Sequence, residues 1–221
     1  MMTTREGGIS KGMYASLNLG SHVNDDPARV EHNRARLQHQ LGVQLAWMNQ
    51  VHGTDCVYRT GVSMVPTADA QWTDQPEIAL CVGVADCLPV ALFKTDGSAV
   101  AVAHAGWRGL AAGVLENTAE PMGGSIQAIM GPCIGAMQFQ VGEEVRQAFV
   151  DLDSNNAEFF RADQSSKFLA DLRGLARRKL DALGIEVVQD INECTVTQAD
   201  RWFSYRREAP GGRMAMVVWL G

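Results

Sequence analysis

Apolar residues along this chain fall into two patterns, continuous runs and runs of helical spacing. Ile78 to Val84 is continuous, which predicts a buried strand. Leu88 to Phe93 and Ala99 to Ala103 flank Asp96-Gly97, a turn dipeptide that predicts a hairpin between them. Leu45 to Gln50, Ile126 to Met130, Val187 to Ile191 and Met214 to Leu220 read as further strands. Helical spacing governs other stretches. Val30, Leu37 and Leu41 follow Asp25-Asp26-Pro27, which predicts a capped helix stopped by Gly42: aspartate satisfies free N–H groups, and proline suits the first turn. Gly106 to Gly109 opens a second helix, predicted to run to about Thr118. Glu143 and Glu144 mark a helix start ahead of Phe149, where negative charge suits the helix dipole. Leu169, Leu172, Ala176, Leu180 and Leu183 share one helical face, with Gly184 as the stop. Hairpins interleaved with helices predict an α/β or α+β fold with a mixed sheet.

Composition narrows the class. The chain has 221 residues and 46% hydrophobic content, enough for one core, so residues 1–221 are expected to form one domain. Net charge is −6, which argues against a nucleic-acid partner. No apolar run is long enough to span a bilayer, and Met1 to Ser10 does not read as a signal peptide, so no membrane association is expected. Five cysteines without a disulfide-like rhythm fit reduced thiols in a cytoplasm. Oligomeric state is not legible.

Candidate chemistry lies in three short boxes: Gln50-Val51-His52-Gly53, Ala85-Asp86-Cys87-Leu88-Pro89 and His104-Ala105-Gly106-Trp107-Arg108-Gly109. Each places a potential metal ligand where an apolar run stops. Imidazole and thiolate are the usual ligands of zinc and copper, and three of them leave one position open, as in a catalytic zinc. Taken alone, each has a plainer reading: His52 as a loop cap, Cys87 as a small buried hydrophobe. Asp86 beside Cys87 weighs against a plain core, because a buried carboxylate needs partners. Gly53, Gly106 and Gly109 permit close backbone approach.

Other residues are weighed the same way. His32 and His39 are seven apart on the predicted helix and read as a solvated face, and His22 is likewise plain. Cys56, Cys81 and Cys194 read as core or loop, and Cys133 as a packed thiol in a Gly-Pro turn. Arg108, and Arg206-Arg207 in a late loop, could hold an anion, since a guanidinium donates two parallel hydrogen bonds to phosphate. For Arg207 a surface ion pair is favoured. Trp47, Trp107 and Trp202 more often fill core than stack on a ligand.

The three boxes, together with Arg5-Glu6-Gly7-Gly8-Ile9-Ser10, Ser16-Leu17-Asn18-Leu19-Gly20, Asn33-Arg34, Gly131-Pro132-Cys133-Ile134-Gly135 and Phe203-Ser204-Tyr205-Arg206-Arg207, resemble the YfiH-like family. Its members are also described as polyphenol oxidase, laccase domain-containing proteins and as purine nucleoside phosphorylases. The resemblance covers nearly the whole chain in order. Asn24-Asp25-Asp26 departs from it, standing where the family more often has Gly-Asp-Asp. It implies one α/β domain of the cytotoxic-necrotizing-factor-like type. It also implies a zinc site, with copper as the alternative ion, made by His52, Cys87 and His104. The implied activity is phosphorolysis of adenosine, inosine and methylthioadenosine, with adenosine deamination. Arg34, Arg108, Asn18 and Arg206 are then expected near the nucleoside or the phosphate.

Alternatives come from other chemical classes. Cys87 with His104 could serve as nucleophile and base of an amide hydrolase, as in peptidoglycan-precursor editing. A copper-dependent polyphenol oxidase is less favoured, because five histidines are too few for a blue-copper site and an oxygen-reducing cluster together. A metal-binding partner protein without catalysis is the plainest reading.

Overall fold

The continuous apolar runs become strands with neither face in water. A computed structural model, which describes residues 1–221, stacks them in four layers. Helix α1 (Pro27–Leu41) is the first. The Asp26 carboxylate accepts the Ala28 N–H at 3.0 Å, and Gly42 closes the helix at φ 68°. Below α1 lies a three-stranded sheet in the order β1 (Gln44–Ala46), β4 (Ile78–Val84) and β12 (Met214–Val218). The first pair is parallel and the second antiparallel.

The third layer is a six-stranded sheet. Its order is β11 (Glu186–Asp190), β7 (Ile126–Met130), β5 (Leu88–Lys94), β6 (Val100–Ala105), β3 (Ala70–Thr73) and β2 (Cys56–Tyr58). The two outer pairs are parallel and the inner ones antiparallel. The fourth layer contains α2 (Trp107–Ala112), α3 (Val114–Ala119), α4 (Glu143–Val150) and α5 (Leu172–Ala182). A small antiparallel sheet of β8 (Gln140–Val141), β10 (Phe168–Ala170) and β9 (Phe160–Ala162) accompanies them, and the single turn α6 (Tyr205–Glu208) precedes β12.

Strand alternation explains why the runs are continuous. On β5 and β6, Leu88, Val90, Leu92, Ala101, Ala103 and Ala105 pack toward the helices. Ala91, Val100 and Val102 pack the other way, against Leu80, Val82 and Met216 of the smaller sheet. On the far side of that sheet, Ala79, Cys81, Ala215 and Val217 meet Leu37 of α1. Full burial of a side chain such as Leu80 contributes about 1.5–3 kcal/mol. No helix is long and apolar enough to cross a membrane.

The fold is mixed α/β, as expected, with its strands divided among three sheets. Some boundaries differ. The strand expected over Leu45 to Gln50 stops at Ala46, and the chain then turns away so that only Asn49 bridges Thr67. The helix expected to run to Thr118 breaks at Gly113, whose φ of 104° no helical residue adopts. Leu169 sits in β10, because Asp171 caps α5 by accepting the Gly174 N–H at 2.9 Å. The last strand ends at Val218 and not Leu220. Phe203 to Arg207, read as a loop, contains α6, with Ser204 as its cap. The short strands β2 and β3 had no alternating signal strong enough to find.

Candidate metal centre

Three connections bring the boxes to one corner of the large sheet. β5 and β6 pair with Pro89 opposite His104, so Cys87 at the start of β5 lies beside the end of β6. β6 pairs with β3 with Ala103 opposite Ala70, which sets His104 next to Asp69. The His104 N–H also donates to the Asp69 carbonyl at 2.8 Å. His52 arrives on the loop after β1. Its imidazole meets that of His104 edge-on, with ring centroids 4.8 Å apart.

The loop carrying His52 is tied down by one buried carboxylate. Asp69 Oδ1 accepts the His52 N–H at 2.9 Å, and Oδ2 accepts those of Val51 at 3.0 Å and Gly53 at 2.7 Å. These bonds hold His52 at φ 61°, a region that non-glycine residues seldom adopt. Oδ1 also lies 2.8 Å from His104 Nδ1. Burial pushes the Asp69 carboxyl up, but the His104 ring and the Gly53 and Val51 N–H groups bring it below its ordinary value. Asp69 is therefore an acceptor only, His104 Nδ1 carries a proton, and Nε2 is the ring nitrogen that faces the cluster.

The ligand atoms of His52, Cys87 and His104 all lie within 4.8 Å of one another. Cys87 Sγ is 3.9 Å from His52 Nε2. This donor set, two imidazoles and a thiol, suits zinc or copper. The backbone leaves room for it. A Cβ on Gly106 would stand 3.0 Å from Cys87 Sγ and 3.1 Å from His52 Cδ2. Burial raises the Cys87 thiol, yet the positive His104 and bonds from both imidazoles bring it down to about 6. Burial lowers His104, and the Cys87 thiolate and Asp69 push it up to about 9. Without metal the pair is thus a thiolate beside an imidazolium.

Asp86 proves to be a brace. It sits at φ 89°, accepting the Thr195 hydroxyl at 2.5 Å and the Arg206 N–H at 2.7 Å. The nominated binding residues lie in different settings. The Arg206 guanidinium donates to the Gln138 and Gln140 carbonyls at 3.3 and 3.2 Å. Arg34 stacks 4.0 Å from the Trp47 ring and donates to the Leu19 carbonyl at 2.8 Å. Asn18 is fully buried, and its amide is used by Gly20, Asp25 and Arg213. Arg108 is exposed, makes no hydrogen bond or ion pair through its guanidinium, and lies 4.4 Å from the Trp107 ring. Arg207 is a structural clamp: besides Glu208, it donates to the carbonyls of Thr195, Val196 and Trp202.

Three residues near the cluster escaped the sequence reading. Asp69 lies in Thr67-Ala68-Asp69-Ala70-Gln71, where polar neighbours leave no local mark of its role. His22 reads like His32 and His39 in sequence, yet its charge environment includes His52 and His104. Arg213 follows two glycines with no distinguishing pattern, and it feels the charge of Cys87 and Asp86.

Fold and cluster together define a class, mixed α/β proteins with a His-Cys-His set at neighbouring strand ends. The chain belongs to the family described as multi-copper polyphenol oxidoreductase laccase, which matches residues 1–221. It is 44% identical to a purine nucleoside phosphorylase of Pseudomonas aeruginosa over 99% of this chain and 92% of that one. It is 43% identical to purine nucleoside phosphorylase YfiH of Escherichia coli, with the same coverage. Among solved structures, a Neisseria meningitidis protein of the DUF152 family superposes with TM-score 0.96 at 46% identity, over 99% of this chain and 92% of that one. YlmD of Geobacillus stearothermophilus superposes with TM-score 0.87 at 32% identity, over 99% and 90%.

Proposed function

We propose that this protein is a zinc-dependent purine nucleoside phosphorylase acting on adenosine, inosine and methylthioadenosine, and deaminating adenosine at the same site. The relatives' names support the phosphorolytic reading. The observation that carries the site is the convergence of His52, Cys87 and His104, with His104 oriented by a buried carboxylate. Three donors with a neighbouring glycine form a cradle that fits a single ion. When bound there, zinc supplies Lewis acidity and lowers the pKa of a water to about 7.

In phosphorolysis a phosphate oxygen bonds to C1′ of the ribose and the C1′–N9 bond breaks. Its electron pair stays on the base, which takes up the proton that the hydrogen phosphate gives up. Free base and ribose 1-phosphate result. In deamination water adds at C6 and ammonia leaves, giving inosine. The chain's own groups orient these events. Asp69 keeps the proton on His104 Nδ1, so that ring presents one fixed nitrogen to the site. Arg108, with its fork free two residues beyond Gly106, is assigned to the ribose or phosphate.

Incubating the zinc-loaded protein with adenosine tests this. Adenine and ribose 1-phosphate are expected only with phosphate present, and inosine with ammonia in its absence. Unchanged adenosine under both conditions overturns the reading. A second reading, amide hydrolysis by Cys87, is favoured by the thiolate–imidazolium pair of the metal-free site. Full amidase activity in metal-free protein, abolished by thiol alkylation, would establish that reading instead.

A further inference from the structure

Arg5 and Arg207 pair with Glu208, and Arg173 pairs with Asp190. Arg34, Arg108, Arg206 and Arg213 all lack a carboxylate partner; Arg108 and Arg206 are exposed and Arg34 spends Nε on the Leu19 carbonyl, whereas Arg213 is half-buried with Nε and Nη2 both unused. One nitrogen, Nη1, donates to the Gly211 and Gly212 carbonyls at 3.0 and 3.1 Å, while Nε and Nη2 have no protein acceptor. The residue is half-buried. Leaving a guanidinium half-dry and unpaired is unfavourable unless something else meets it.

Its place is set by the strand pairing. Met214 on β12 lies opposite Val84 on β4. Arg213 therefore stands beside the point where β4 ends and the chain passes through Ala85 and Asp86 to Cys87. A second tether acts from the N-terminal segment. The Asn18 side-chain oxygen accepts the N–H groups of Arg213 and Gly20, both at 2.9 Å. A Cβ on Gly20 would fall 2.7 Å from Arg213 Cγ, so the backbone there lies directly on the arginine stem. His22, an exposed residue, follows two positions beyond that contact. Asn18 is itself fixed: its amide nitrogen donates to Asp25 at 3.0 Å, and Asn33 donates to its carbonyl at 2.9 Å. The Tyr205 ring, 5.6 Å from the guanidinium, flanks it.

We propose that Arg213, assisted by His22, forms the subsite that binds inorganic phosphate beside the His52-Cys87-His104 cluster. The inference rests on phosphorolysis at that cluster. It gives the unpaired fork an oxyanion, for which two parallel N–H donors are suited. It also gives the buried Asn18 network a purpose, since that network anchors the backbone on both sides of the fork. His22, although exposed, is lowered by partial desolvation and by the positive charges of Arg213, Arg34, His104 and His52, while Cys87 and Asp86 supply negative charge near Arg213.

Arg213→Met keeps the stem that packs on Gly20 and removes the charge, while Arg213→Lys keeps the charge and removes the fork. Titration of inorganic phosphate into zinc-loaded protein, followed by calorimetry, should show binding weakened about ten- to a hundredfold in Arg213→Met. A smaller loss is expected in Arg213→Lys and in His22→Asn. The KM for phosphate should rise with the dissociation constant, and adenosine affinity should stay within about twofold. Unfolding midpoints of all three variants report whether they fold. Should Arg213→Met misfold, Arg213→Lys and His22→Asn carry the test on the same readout. Unchanged phosphate affinity in the folded variants, or no phosphate binding by the wild type, overturns the assignment. If the wild type binds phosphate through Arg213 but cleaves no nucleoside, the subsite stands and phosphorolysis falls.

Discussion

Two cysteines at neighbouring strand ends meet opposite fates. Cys87 precedes β5 and Cys133 follows β7, the strand paired with β5. Their loops touch, since the Ile134 N–H donates to the Asp86 carbonyl at 2.9 Å. Each thiol has a cationic neighbour. Cys87 is brought down to about 6, whereas burial pushes Cys133 up to about 12 although Arg173 Nη2 lies 3.5 Å from its sulfur. The difference is what each cation already does. Arg173 is claimed by Asp190 and by the carbonyls of Gly131 and Ile191. Around Cys87, two imidazoles face one sulfur, and only the His104 ring has a carboxylate, Asp69, behind it. A cation activates a thiol only with the charge its other partners leave over.

The strongest test of that contrast is Cys87→Ser. A neutral hydroxyl is a poor ligand, so zinc affinity should fall by more than about a thousandfold, beyond what loss of an outer-shell partner produces. Turnover should fall with it. Metal content after dialysis and initial rates check both, and retained metal with normal turnover would remove Cys87 from the site.

Acidity probes the same pair. The metal-free cluster holds His104 near 9 and Cys87 near 6. Between these values the sulfur is already a thiolate, and metal must displace one proton, from His104. Zinc affinity should therefore drop about tenfold for each unit that pH falls in this range, and more steeply below about 6. Competition titrations at three pH values measure the slope, and a flat profile would contradict the ion pair.

Asp69→Asn asks whether the carboxylate behind the cluster matters. It should lower zinc affinity about 10- to 100-fold, the usual effect of losing a histidine's outer partner. Stability should drop by about 1.5–3 kcal/mol as well, because charge-assisted bonds to three N–H groups and His104 are weakened. The folded-state pKa of Asp69 lies below its unfolded value. Its stabilisation is therefore present above about pH 4 and is lost as pH falls through the lowered value. Urea midpoints at pH 7 and pH 3 should differ less in the variant than in the wild type.

The smallest effect belongs to Cys133→Ser. The site is dry and its thiol un-ionised, so metal affinity and turnover should stay within about twofold, with a stability loss of about 1–3 kcal/mol for the buried hydroxyl. A large loss of metal would mean that the two loops work as one site.

Much of the framework was legible before any tertiary information. Ile78 to Val84 matches β4 to the residue, and Leu88 to Phe93 with Ala99 to Ala103 reproduce the hairpin to within two residues at its ends. Strands covered on both faces leave a run of apolar residues that needs no partner to be recognised. The capped first helix was legible for a local reason too, since Asp26, Pro27 and Gly42 act within one turn of its ends. The three boxes could be marked because their ligand types interrupt apolar runs.

What the sequence could not supply by itself is which distant residues share a corner. Asp69 and His104 are 35 residues apart, and Asn18 and Arg213 are 195 apart. Neither pair leaves a periodic trace, because each partner's role comes from strand register and loop closure. The same holds for His22, which reads like His32 and His39 in sequence and is exposed like them, yet feels the charge of His52 and His104. Local chemistry determined the strands, the caps and the candidate ligands. Only tertiary packing decided which cations keep free charge, since that depends on every neighbour the fold brings within reach.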